Sequence, residues 1–267
     1  METKAHREKN ISAGSRRLRY ILSFAVLAGL LLVFLVWNIC AGSVSISPDE
    51  IIKSLLGRDI GETAANILWR IRLPRALAAI ILGGALGLAG YLLQTFFHNP
   101  IAGPFVLGIS SGAKLTVALV MVFSLGNSLR ASSAVMIIAA FVGAMISMGF
   151  VLLMSRKVNR MSMLIISGVM IGYICSAITD LVVTFADDAD IVNLHNWSKG
   201  SFSGITWDNV AVMALVVLIV FIIVFFMSKP ISAYQMGEGY AQNMGINIRM
   251  FRAALVVLSS VLAACIT

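Results

Sequence analysis

The sequence predicts an all-α, polytopic membrane protein with about seven transmembrane helices. Of its 267 residues 59% are hydrophobic and only 12% are charged. The apolar residues are gathered into runs near the roughly 20 residues that a helix needs to cross a hydrocarbon core of about 30 Å. Short segments carrying the charges, glycines and prolines separate these runs, a composition suited to a bilayer rather than to a water-soluble core.

A basic tail, residues 1–19, comes first. The apolar run behind it, Tyr20 to Cys40, has about 21 residues, longer than the roughly 7 to 15 of a secretory signal, and reads as a retained membrane helix. The following spans are Ala76 to Phe97, Phe105 to Leu125, Ala131 to Met154, Met161 to Ala186 and Val210 to Met227. A seventh starts near Arg252 and reaches the last residue, Thr267, after about 16 residues, which is marginal for crossing and suggests a shortened chain. Residues 20–267 thus form one transmembrane domain, with a polar loop at 228–251. Cys40, Cys175 and Cys265 are far apart and lack redox or metal-ligand spacing.

The net charge of +8 is scattered among the loops and forms no basic stripe, so nucleic acid is not an expected partner. Lys4, Arg7, Lys9, Arg16, Arg17 and Arg19 precede the first span, which places the N-terminus in the cytoplasm. Alternation then puts twelve Lys and Arg residues inside and seven outside, with Lys114 in a span. Five of the seven lie in one outer segment, and three of those are Arg70, Arg72 and Arg75. By spacing alone these arginines either snorkel to headgroups or form a docking patch for an acidic partner. Pro74 among them suits the first turn of a helix.

Within the spans, Gly83, Gly87 and Gly90 lie at spacings that let helix backbones approach. Pro100, Gly103, Pro104, Gly108 and Gly112 interrupt the entry to the third span, so a broken, partly re-entrant segment is expected, with regular helix from near Ser111 and Lys114 snorkelling to the inner border. Gly168, Gly172, Ser176, Asp180 and Thr184 recur every four residues in the fifth span, a stripe that winds around the helix. Its inner part suits packing. Its outer part suits either pathway lining or simple hydration, Asp180 being an ionisable group within a span. The outer loop carries Asp187, Asp188 and Asp190, with Trp197 and Trp207 as interfacial anchors.

Enzyme signatures do not occur. There is no G-x-x-x-x-G-K-[ST], H-E-x-x-H or G-x-S-x-G, and the histidines His6, His98 and His195 are widely separated. No catalytic residue, metal ligand or cofactor is expected in this chain, and any energy must come from another subunit. The loop 228–251 offers that subunit a seat: Pro230 ends the sixth span and a short amphipathic helix follows, stopping at Gly245. By composition alone that helix also suits simply resting on the membrane.

Two stretches carry a family resemblance. "RLPRALAAIILGGALGLAGYLLQTFFHNPIAGPFVLGISSGA" and "MGEGYAQNMGINI" resemble, in order and spacing, signatures of the permease subunits of ABC importers for iron-siderophores, haem and vitamin B12. The first departs from the pattern at Ala89, where serine is common, and the second at Met236 and Met244, which replace leucines. The resemblance implies a fold of ten spans whose second half repeats the first in inverted form, so the chain stops about three spans early.

It also implies that Arg72 and Arg75 receive an extracytoplasmic substrate-binding protein and that Gly237, Glu238, Ala241 and Gly245 couple to ABC ATPase subunits. Ser162 stands where the family narrows its pathway to a gate, although Met161 beside it departs from that pattern, and Asn99, Pro100 and Asp180 join it as candidate pathway residues. A second permease copy or a sibling permease would complete the pathway in a bacterial inner membrane, with ferric siderophores as the implied substrates. Two other readings remain open: an ion-coupled secondary transporter using Asp180 and Lys114, and a nonfunctional permease fragment.

Overall fold

The computed structural model describes residues 2–42, 44–58, 60–124, 133–157 and 161–267, and among these there are helices and connecting turns but no strands. The chain divides into two compact units, Met1–Leu77 and Ala78–Thr267. Arg130 and Arg160 of the charge count, and the span ends Leu125 and Ala131, lie outside the described residues.

The first unit opens with α1 (Glu2–Cys40), in which the basic tail and first span form one helix. Next comes α2 (Pro48–Leu55), started by a capping box: the Ser47 hydroxyl accepts from the Glu50 amide at 3.3 Å, and Glu50 accepts from the Ser47 amide at 2.7 Å. These contacts satisfy amides that a helix start leaves open. α3 (Glu62–Ile67) then runs through a π-helical turn (Leu68–Arg72) into α4 (Leu73–Phe97). Ile39, Ile46, Ile51, Leu68 and Ala76 form this unit's core.

Pro74 therefore does not begin a helix, because the helical path is continuous from Glu62 to Phe97. The Leu73 amide bonds to the Leu68 carbonyl, five residues back. That wider turn relaxes the ladder just where proline lacks a donor and its ring crowds the preceding turn.

In the second unit, α5 (Ile109–Ser124) packs on α6 (Ser133–Lys157) and α7 (Met161–Thr184). It is preceded by a 3₁₀ turn (Pro104–Leu107), so the third span is interrupted as expected and its regular helix starts two residues before Ser111. Gly108, at φ +71°, lies so close to α7 that a Cβ there would stand 2.8 Å from the Gly172 backbone. Gly168 receives Leu107 in the same way. The inner part of the fifth-span stripe is thus a close-packing seam.

Gly83, Gly87 and Gly90 behave otherwise: among the described residues, no heavy atom would come within 4 Å of a Cβ on any of them. Their spacing permits close approach without supplying a neighbour.

α8 (Asp188–Lys199) is a helix where the sequence suggested a solvated loop. Asp190 and Leu194 are buried, and Trp197 packs on the core instead of standing as a free anchor, because α8 folds back against α5. α9 (Trp207–Phe226) ends before Pro230 rather than at it. Pro230 sits in the first turn of α10 (Ser228–Gln235), where backbone amides lack helical partners in any case. α11 (Glu238–Asn243) and α12 (Ile248–Ile266) follow. α12 starts four residues before Arg252, so the last apolar helix has 19 residues. Among the described residues, six helices are long and apolar enough to cross a membrane, and the helix 109–123 is shorter.

Candidate functional site

Where the sequence suggested one amphipathic helix after the sixth span, two short helices follow one another, α10 and α11. Gly237, at φ +125°, makes the turn between them, and Gly245, at φ +83°, ends the second. Side chains other than glycine rarely adopt such backbone angles. Ala241 is fully buried on the inner face of α11, whereas Met236, Tyr240 and Met244 stand exposed. Gly237, Glu238, Ala241 and Gly245 therefore belong to one small structure with an inner and an outer face.

Behind it lies a cluster of polar and aromatic side chains. The Tyr234 hydroxyl donates to Glu238 Oε1 at 2.9 Å. Arg252 Nη1 stands 3.7 Å from the same oxygen, and its guanidinium lies 5.5 Å from the Phe96 ring centroid, a cation–π distance. The Tyr234 ring packs against Phe251 at 5.2 Å and His98 at 4.8 Å. Burial, with the Glu238 carboxylate beside it, pushes the Tyr234 phenol well above its ordinary pKa.

Asn99 and Pro100 lie next to this cluster. Asn99 Oδ1 accepts from the Ile101 amide at 2.9 Å, and the Pro100 carbonyl accepts from Gln94 at 3.1 Å. A cleft of about 250 Å³ joins them to Tyr91, Thr95, His98 and Gln235. A second, of about 580 Å³, is lined by Glu238, Gln242, Gly245, Asn247 and Arg249. Ser162 is exposed in the first turn of α7, and Asp180 is exposed eighteen residues on, about 27 Å along the same helix. Ser162 and Asp180 do not share a site.

The structure gives Arg72 and Arg75 different surroundings. Arg72 is 8% exposed. Its guanidinium donates to the carbonyls of Ile39 at 2.5 Å, Cys40 at 3.1 Å and Val44, so it closes the open end of α1. Arg75, one turn on, is half-buried.

The sequence model of the FecCD transport family matches residues 30–267. The chain belongs to that family. Among relatives of this FecCD-family chain, the vitamin B12 import system permease protein BtuC of Klebsiella pneumoniae is 35% identical over 228 residues, 85% of this chain and 65% of that protein. BtuC of Yersinia enterocolitica is 33% identical over 243 residues, 90% of this chain and 67% of that protein. The chain thus spans about two thirds of the length of these relatives, slightly less for the first. A solved structure described as a metal-chelate type ABC transporter in an inward-facing conformation shares the fold, with a TM-score of 0.76 at 24% identity over 90% of this chain and 73% of the other.

In this FecCD-family chain the α10–α11 quartet was legible as a motif, but its supports were not. Tyr234 and Glu238 are four residues apart but lie on different helices, α10 and α11, so their pairing depends on the turn at Gly237 and not on helical spacing. His98 comes from a distant part of the chain to meet Tyr234, and nothing in the sequence pairs Arg252 with Glu238 across the turn that separates α11 from α12.

Proposed function

We propose that this chain is the permease subunit of an ABC importer that moves a metal chelate inward. The α10–α11 turn carries this reading: two short helices between two membrane helices, one face locked into the core through Ala241 and Tyr234 and the other presenting Met236, Tyr240 and Met244. ABC ATPase subunits would seat on that outer face and supply the hydrolysis, for which this chain needs neither catalytic residue nor cofactor. A second permease copy or a sibling would complete the pathway, with the exposed side of α7 around Ser176 and Asp180 lining it and Ser162, Asn99 and Pro100 toward a gate. The basic head favours a cytoplasmic N-terminus in an inner membrane.

Ferric siderophores are the substrates implied by the sequence signature. Vitamin B12 is a second reading, favoured by the names of the BtuC relatives. Both are large metal chelates delivered by an extracytoplasmic binding protein. Uptake into proteoliposomes of radiolabelled cyanocobalamin and of a labelled ferric hydroxamate, each with ATP inside, separates them. ATP-dependent uptake of neither, with the binding protein present, would overturn the importer reading.

Docking of that binding protein is best tested at Arg75. Reversing Arg72 as well removes the donors that close α1, so failure of the double variant would report folding. Arg75→Glu should lower stimulation by the binding protein about tenfold, the size expected when an attractive charge pair becomes a repulsive one. Unchanged stimulation removes Arg75 from the docking surface.

A further inference from the structure

We infer that Tyr234, Arg252 and His98 are positioning residues that join α11 to the inner ends of α4 and α12, so that these parts move as one body when α11 is pushed. The inference rests on the reading of α10–α11 as the segment on which an ATPase partner acts.

One carboxylate oxygen gathers the cluster. Glu238 Oε1, at the start of α11, receives the Tyr234 hydroxyl from α10 at 2.9 Å and faces the Arg252 guanidinium of α12 at 3.7 Å. Arg252 in turn lies over Phe96 of α4. Tyr234 is fully buried, as is Phe96, so neither ring can shift without opening a gap in the core.

A second strand of contacts runs from α10 straight to α4. His98 Nε2 lies 3.2 Å from the Tyr234 carbonyl oxygen, and Gln235 Nε2 donates to Thr95 Oγ1 at 3.2 Å. His98 has φ +49°, the one positive value on a residue other than glycine among the described residues. A histidine holds that conformation only where its surroundings favour it. The ring packing with Tyr234 and the contact with its carbonyl supply such surroundings at the point where α4 stops.

The two faces of α11 thus differ in mechanical character. Tyr240 and Met244 are open to a partner, whereas Ala241 is embedded and Glu238 is tied to Tyr234 of α10. A force on the outer face reaches α4 and α12 through a buried ring, a charge-assisted hydrogen bond and an ion pair, all less compliant than a loop. Packed elements of this kind move between discrete arrangements rather than deform continuously.

The test uses spin labels at Leu86→Cys in α4 and Gln242→Cys in α11, in the complete permease reconstituted with its ATPase, with Cys40, Cys175 and Cys265 replaced by alanine. The parent should give one distance, the same with and without a non-hydrolysable ATP analogue. Tyr234→Phe keeps the ring and removes one hydrogen bond to a charged acceptor, so the population at a second, longer distance should rise about tenfold. Arg252→Met, which keeps an unbranched apolar stem and removes the guanidinium, should act in the same direction and serves if Tyr234→Phe does not fold.

Tyr234→Phe combined with Glu238→Ala should separate α11 from α4 no further than Glu238→Ala alone, because both changes remove one interaction. A distance that follows the nucleotide in the parent, an unchanged distance in both single variants, or additive effects in the double variant would overturn the inference. Failure of the parent to co-purify with the ATPase would instead overturn the seating reading, and the same distances in the permease alone would still report whether the cluster holds α11 to α4.

Discussion

Arg72 fills the space that a side chain on Gly42 would need: a Cβ there would stand 2.5 Å from Arg72 Nη2 and 3.1 Å from its Cζ. The guanidinium cannot swing aside freely, because it is committed to the carbonyls of Ile39, Cys40 and Val44. Gly42→Ala should therefore destabilise the first unit by about 1–3 kcal/mol, the usual range for overpacking. A lowered thermal unfolding midpoint in detergent is the expected reading, and an unchanged one would mean that Arg72 is not fixed.

Arg72→Lys should be costly despite keeping the charge. Lysine is a point charge without the planar fork, and it cannot serve carbonyls that arginine reaches with two separate nitrogens. The loss should be about 1.5–3 kcal/mol, the range for hydrogen bonds to charged groups. Hydrogen exchange at the end of α1 is the direct measurement, and protection there should fall while that of α5 to α7 does not.

Gly108→Ala should damage the second unit. The residue combines φ +71° with a Cβ position 2.8 Å from the Gly172 backbone, so alanine meets both strain and a backbone that cannot rotate away. Overpacking alone costs about 1–3 kcal/mol. Gly83→Ala serves as the control, since its Cβ has open space, and should unfold like the parent.

The start of α2 should respond to acid. Glu50 is held below its ordinary pKa, first by the Ser47 amide and then by the Ser47 hydroxyl. A depressed carboxyl stabilises the folded form above its unfolded pKa of 4.5, and the contribution disappears as pH falls through the lower folded value. Exchange protection of α2 should drop in that window, and Glu50→Gln should flatten the profile. Ser47→Ala should cost about 1 kcal/mol at neutral pH through the lost cap.

Tyr234 should act at the alkaline end. Its folded pKa is raised, so its stabilising contribution is complete below the ordinary value of 10.0 and declines as pH rises beyond it. The unfolding midpoint of the parent should fall more steeply above about pH 10 than that of Tyr234→Phe. Parallel profiles would mean that the hydroxyl is not held protonated by its surroundings.

Periodicity and run length made the helices readable, because a membrane helix satisfies its own backbone and needs about 20 apolar residues wherever it lies. The break before α5 was readable for a related reason, since Pro104 and Gly108 act on their own backbone. The quartet from Gly237 to Gly245 was readable from its motif. Pro74 misled because the π-helical turn that tolerates it has no sequence signature, and Asp190 and Trp197 misled because an isolated polar helix does not reveal what it folds against.

By itself, then, the sequence determined the class of protein, the approximate membrane helices, the interrupted third span and the two signature stretches, all of which depend on local composition and spacing. Only the tertiary structure decided that Arg72 closes α1, that Gly108 rather than Gly83 lies at a tight crossing, and that Tyr234 and Arg252 converge on Glu238 with His98 packed against Tyr234. These are contacts between residues up to about 150 positions apart, and such a contact depends on where the whole chain has packed, which no local spacing encodes.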